Sequence, residues 1–224
     1  NFLIKKNFNV KVFDNSSRGS FKKLNNKKIQ FYRGDIRDKK KLYRSLKKVD
    51  SVIHLAYING TKHFYNIPEK ILDVAVKGLI NIFDGCKKYK IKELYLASSS
   101  EVYQTPNKVP TKETEPLKIP DVFNPRYSYG GGKILTELIG INYGKKFFKK
   151  LIIFRPHNVY GPDMGNEHVI PEFINRIKKF KKRKFKIQGT GNEIRSFIYI
   201  DDFVDAFSLL MKKGKHLNIY NIGT

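Results

Sequence analysis

Residues 93–100, ELYLASSS, decide how the chain is read: a short apolar run from Leu94 to Ala97 stopped by three serines. That is the pattern of a strand ending in small polar residues. Five further runs look alike: NVKVFD (9–14), KIQFYRGD (28–35), SVIHLA (51–56), LIIFRP (151–156) and SFIYIDD (196–202). Between them, apolar residues recur at helical spacing over 38–48, 68–89 and 129–147. Strands alternating with helices of this length predict βαβ units and a parallel sheet, an α/β fold. Right-handed crossovers then bring the strands' carboxyl ends to one edge, where ligands of open α/β sheets bind. Asp14, Asp35, Ser98 to Ser100 and Asn158 all follow an apolar strand, so the polar residues gather at that edge.

The bulk composition limits the choices. With 224 residues, 40% of them hydrophobic and 13% aromatic, the chain can build one large domain, or a domain plus a smaller lobe. A single cysteine, Cys86, excludes a disulfide framework and suits a reducing compartment. Neither a bilayer-length apolar run nor a signal-peptide pattern occurs, and a cytoplasmic protein is expected. The net charge of +25 (45 basic against 20 acidic) invites a nucleic-acid reading. The lysines are spread along the whole chain, however. The one dense run, KKFKKRKFK at 178–186, comes without any nucleic-acid-binding signature, so a solvated basic face is expected. The five histidines and one cysteine show no metal-ligand spacing.

The stretch YSYGGGKILTE (127–137) opens a helix with three glycines, each costing about 1 kcal/mol relative to alanine. It is not a Walker phosphate loop, because the spacing before Lys133 is wrong and Ile134 follows it. Tyr129 and Lys133 stand at i and i+4, on one helix face. An ammonium beside a phenol lowers its pKa from the usual ~10, which would make Tyr129 a general base. Bare glycines would let a flat ligand lie against that face. Taken alone, Y-x-x-x-K is equally a surface pair.

Several stretches in order then resemble one family across essentially the whole chain. They are VFDN (12–15), GDIRD (34–38), HLAY (54–57), SSSEVY (98–103), YGGGK (129–133), RPHNVYGP (155–162), VIP (169–171) and IRSFIYIDD (194–202). The chain resembles the extended short-chain dehydrogenase/reductases, specifically the NAD-dependent nucleotide-sugar epimerases, dehydratases and decarboxylases. The resemblance implies a Rossmann-type doubly wound parallel sheet over 1–160. A partial substrate-binding lobe would follow over 161–224, with 196–202 returning to the sheet.

It also implies roles. Asp14 and Asn15 would hold the adenosine ribose of NAD, Asp14 repelling a 2′-phosphate while Arg18 leaves NADP open. Asp35 and Ile36 would flank the adenine, with Leu55, Ala56, Tyr57 and Pro156 also lining the cofactor. Tyr129 and Lys133 would be the catalytic pair, Lys133 holding the nicotinamide ribose, and Ser99 would bond the sugar's reacting oxygen. Ser100, Asn158, His168, Val169 and Arg195 would meet the nucleotide sugar, Asn158 and Arg195 at its diphosphate. Without the resemblance, Asp14-Asn15 is a turn, the serines a strand cap, Arg195 a surface ion pair and His168 structural.

Two positions separate the reactions. Ser100 and Glu101 stand where sugar 4,6-dehydratases carry Asp-Glu, and a serine cannot supply an acid's proton to expelled water. Glu101 keeps uronate decarboxylation open. The expected activity is 4-epimerisation of a UDP-sugar through a 4-keto intermediate, by a homodimer. A basic Rossmann module binding nucleic acid, without chemistry, is the alternative from another class. Two departures stand out: no G-x-x-G-x-x-G loop occurs, and Ala75 stands where the family usually has Asn. The ends, NFLIKK and YNIGT, read as cuts in a longer protein.

Overall fold

The computed structural model describes residues 1–223 apart from 20, 25, 26, 166, 167, 181–184 and 188. The middle of the basic run, 181–184, therefore lies outside the described residues. In chain order the elements are α1 (Phe2–Lys5), β1 (Val10–Asp14), β2 (Ile29–Arg33), α2 (Lys39–Leu46), β3 (Ser51–His54) and α3 (Thr61–Asn66). They continue with α4 (Pro68–Asp73), α5 (Leu79–Lys88), β4 (Glu93–Ala97), α6 (Ser128–Gly144), β5 (Lys150–Pro156) and β6 (Val159–Tyr160). α7 (Val169–Lys178), β7 (Ile198–Tyr199), α8 (Ile200–Lys213) and β8 (Ile219–Ile222) complete the chain.

Every strand pairing is parallel. β1 pairs with β2, and the central sheet has the order β3-β4-β5-β8. The alternation of side chains along β4 and β5 builds a core on each face. Leu94, Leu96, Leu151 and Ile153 pack with Leu42, Leu79, Ile82 and Phe83 from α2 and α5. Tyr95, Ala97, Ile152 and Phe154 pack with Phe207 and Leu210 of α8. The parallel sheet is what the strand–helix alternation predicts, and helices on both of its faces make the doubly wound arrangement that the resemblance implies. α2 starts where Asp38 caps it, its carboxylate accepting from the Lys41 amide at 3.1 Å.

Two expectations change. The helical stretch 68–89 is not one regular helix: Val74–Gly78 forms a π-turn between α4 and α5. A side chain at Gly78 would overlap Ile36, so the glycine lets this helix lie close on the turn after β2. The run 196–202 does not return to the central sheet. Only Ile198–Tyr199 is strand, and it pairs with β6. Asp201 and Asp202 fall in the first turn of α8, where carboxylates favour the helix N-terminus. The stretch that joins the central sheet is β8, beside β5. No helix among the described residues is long and apolar enough to cross a membrane.

Candidate active site

β4 delivers the serines. The strand ends at Ala97, and Ser98 and Ser99 follow it as buried residues. Ser99 starts a 3₁₀ turn, Ser100–Val102, and its hydroxyl accepts from the Glu101 amide at 3.2 Å. The same Ser99 side chain lies near enough to the Tyr129 phenol to favour its ionised form. α6 supplies that phenol from its second residue, and Lys133 from one turn on. Ser99, Tyr129 and Lys133 are thus brought to one place: the spacing predicts the last two on one helix face, and the resemblance implies the serine beside them. Glu101 stands nearby, its charge opposing ionisation of Tyr129, and lies 3.7 Å from Arg126.

The lysine does not do what the sequence suggests. Its Nζ donates to the Ala97 carbonyl at 2.7 Å and lies 3.8 Å from the Tyr57 ring centroid, against 5.7 Å for the Tyr129 ring. Tyr129 sits between Tyr57, edge-on at 5.2 Å, and Phe64, stacked at 5.2 Å. Burial pushes its pKa up to about 12, the Ser99 side chain and the Arg18 charge opposing the rise. The expected lowering by Lys133 is therefore corrected: enclosure by aromatic rings outweighs a cation that faces elsewhere. Burial also pushes Lys133 down to about 7, against the pull of Glu137.

The glycines have a different reason as well. Gly130, Gly131 and Gly132 are all buried. A Cβ on Gly130 would meet Gln104 Nε2 at 2.7 Å, and one on Gly131 would meet Ile119 at 3.3 Å. On Gly132 it would overlap the Tyr57 hydroxyl and come within 3.1 Å of Ala75. The protein's own loops approach the start of α6 on three sides, so these glycines admit neighbours rather than a flat ligand.

The cofactor candidates divide. Asp14 is exposed at the end of β1, one carboxylate oxygen accepting from the Ser16 amide at 2.5 Å. Asn15 caps the Ser17 amide at 3.0 Å. Leu55 is 61% exposed after β3, with Ala56 half-buried beside it. Asp35 is held by Arg37 through bonds of 3.0 and 2.8 Å, which keep its carboxyl below the usual range. Ile36 turns into the core against Gly78. Tyr57 likewise packs inward on Tyr129 and Lys133. Pro156 closes β5, half-buried.

The substrate candidates divide too. His168 Nε2 lies 2.9 Å from the Arg18 guanidinium, and Val169 is exposed at the start of α7. Asn158 gives its amide to the Ser196 carbonyl at 2.7 Å, tying the loop after β5 to the one before β7. Arg195 bonds the carbonyl of its neighbour Ile194 at 2.8 Å. Ser100 is half-buried in the 3₁₀ turn.

Sequence reasoning missed the buried ion pair beneath the site. Arg155, on β5, grips Glu137 of α6 through bonds of 2.8 and 2.6 Å. Glu137 also accepts from Ser98 at 2.5 Å, and Arg155 donates to Tyr103 at 2.5 Å and the Glu113 carbonyl at 2.9 Å. The signal was present: Glu137 follows Lys133 by one helical turn, on the face that meets the sheet. No group of three or more metal-binding side chains exists among the described residues.

The chain is similar to proteins of one kind. A dTDP-D-glucose 4,6-dehydratase of Dictyostelium discoideum is 34% identical over 207 residues, covering 88% of this chain and 46% of the relative. A Methanocaldococcus jannaschii protein assigned as a UDP-glucose 4-epimerase is 34% identical over 229 residues, covering 99% of this chain and 71% of the relative. The crystal structure of UDP-glucose 4-epimerase from Thermotoga maritima, with UDP-glucose, matches at a TM-score of 0.86 and 30% identity. That match covers 100% of this chain and 71% of the other. The chain spans about half the length of the curated dehydratases it matches, 46% and 55% for two of them. A family model extends over residues 1–223, and on that match the chain belongs to the NAD dependent epimerase/dehydratase family.

Proposed function

We propose that this chain belongs to an NAD-dependent nucleotide-sugar epimerase that inverts C4 of a UDP-sugar through a transient 4-keto sugar. The observation that carries the reading is the gathering of Ser99 at the end of β4, Tyr129 on the second residue of α6, where it feels the Ser99 side chain, and Lys133 one turn further along α6. Ser99 holds the sugar's 4-oxygen, and Tyr129, acting as its phenolate, takes the hydroxyl proton as C4 loses hydride. Tyr129 needs help to ionise, since burial holds it near 12. A sugar oxygen and a cation brought against it would supply that help.

The residues present fit the cofactor. Leu55 is a bare apolar side chain beside the site, and Asp14 offers an exposed carboxylate at the end of a parallel strand, suited to ribose hydroxyls. When bound, NAD supplies the hydride acceptor and then returns the hydride, so the cycle needs no outside reductant.

Dehydratases are among the relatives, yet Ser100 offers no carboxyl proton for expelling water, which favours epimerisation. A second reading, decarboxylation of a UDP-uronate, is favoured by Glu101, whose charge is felt at Tyr129. A homodimer is supported by the apolar outer face of α6, where Leu135, Leu138 and Tyr143 are exposed. The test is incubation of the full-length protein with NAD and UDP-glucose, UDP-N-acetylglucosamine or UDP-glucuronate. A mixture of C4 epimers supports the proposal, and carbon dioxide from the glucuronate supports the second reading. Retention on DNA or RNA without turnover of any sugar would overturn both.

A further inference from the structure

Tyr57, in the loop after β3, has a buried hydroxyl with no hydrogen-bond partner. Leaving such a group unpaired is costly, so the position is not chosen for its oxygen. What it presents is a ring face. The Lys133 ammonium lies over that face, 3.8 Å from the centroid, while donating to Ala97 at 2.7 Å. The other two sides of the ring are fixed: Tyr129 meets it edge-on at 87°, and the bare backbone of Gly132 receives the phenol end. Ala75, in the π-turn, closes the same space. Residues from the loop after β3, the π-turn and α6 therefore form one seat, with the lysine head on top of it.

We propose that Tyr57 is a positioning residue for Lys133: its ring face holds the ammonium at the Ala97 carbonyl and sets where that charge stands beside Tyr129. The importance of this for turnover rests on the role given to Lys133 above. The physical basis is the attraction of a cation to the negative face of an aromatic ring, which strengthens when water is excluded. Lys133 is only 4% exposed. The groups facing its ammonium are few. Glu137 on α6 favours the charge, and His54 on β3 is coupled to it by mutual repulsion of the protonated forms. Tyr129 and Tyr57 complete the surroundings, together with the Ala97 carbonyl. Against a burial that disfavours the ammonium, the ring face is a second source of support besides Glu137.

The test reads Lys133 directly in protein labelled with ¹³C-lysine, its Cε signal being assigned by its loss in Lys133→Met. In the unaltered protein the Cε protons should resonate upfield of ordinary lysines, because the ring face shields them. Tyr57→Phe keeps the face and should leave the Lys133 titration midpoint in place. Tyr57→Leu keeps apolar bulk without the face, and the midpoint should fall by about one unit. An unshielded lysine in the unaltered protein overturns the proposal, even if Tyr57→Leu fails to fold. So does a Tyr57→Leu midpoint equal to that of the parent. Neither measurement uses a substrate: a shielded lysine in a protein that turns over no sugar sinks the proposed reaction alone, and an unshielded lysine in an active epimerase sinks only the seat.

Discussion

Lys133 bonds the carbonyl of Ala97 at 2.7 Å, and Ala97 is the last residue of the strand that presents Ser99 to Tyr129. One strand end thus reaches both residues of the Tyr129–Lys133 pair, the lysine through the Ala97 carbonyl and the tyrosine through the neighbouring Ser99 side chain. The arrangement separates two jobs: Ser99 reaches the phenol, and Lys133 is kept within one turn of it without touching it.

Removing the phenolic oxygen tests the first job. Tyr129→Phe keeps the ring that stacks on Phe64 and should leave the thermal midpoint nearly unchanged. Turnover should fall by about 10²–10⁴-fold, the usual weight of a positioned acid–base group. Steady-state kinetics beside a melting curve reads both, and full turnover in the variant would remove Tyr129 from its role.

The ion pair under the site governs stability. Glu137→Leu leaves the Arg155 guanidinium buried beside Tyr103 with its carboxylate gone. An uncompensated buried charge costs about 3–5 kcal/mol, so the urea midpoint should drop sharply. The double variant Glu137→Leu with Arg155→Met should recover part of that loss, because no charge is then stranded.

Gly131→Ala and Gly132→Ala should part company. Both gain about 1 kcal/mol of helix propensity. At Gly131 the new methyl meets only the tip of Ile119 at 3.3 Å, and the gain should survive. At Gly132 it would overlap the Tyr57 hydroxyl and crowd Ala75, and overpacking of this kind costs about 1–3 kcal/mol. Denaturant titration should show Gly132→Ala to be the less stable of the two.

Acid should weaken the fold through His54. Burial lowers its pKa from 6.5 to about 3, the Lys133 charge adding to the effect. The unfolded chain therefore binds a proton that the folded chain does not, over the window between those values. Stability should fall as pH drops from about 6.5 toward 3, by up to about 1.4 kcal/mol per pH unit. His157, also lowered by burial, acts in the same direction. His54→Gln should flatten the curve between pH 6.5 and 5.5, above the range where carboxylates titrate, and an unchanged slope would place the proton elsewhere.

The sheet was legible because its strands are short apolar runs that end in polar residues: LIIFRP became β5 almost residue for residue, and the apolar part of ELYLASSS became β4, which stops at Ala97 before the serines. SFIYIDD was not, because a period of two over a few residues cannot tell a strand from the start of a helix. The acids at 201 and 202 proved to be first-turn residues of α8. The meeting of Ser99 and Tyr129 could be read from motif order, since both lie at the same edge of a parallel sheet. What lay beyond the sequence was direction. Spacing puts Lys133 on the face of Tyr129, but the carbonyl of Ala97 and the ring of Tyr57, 36 and 76 residues away, decide where its ammonium rests.

The most direct test of the account follows one atom. UDP-glucose and UDP-N-acetylglucosamine carrying deuterium at C4 are each incubated with the full-length protein and NAD, and the products are examined by NMR. The account predicts that the sugar turned over comes to equilibrium with its C4 epimer, with the label still at C4 in both. Deuterium found at C6 of a 4-keto-6-deoxy sugar would contradict it.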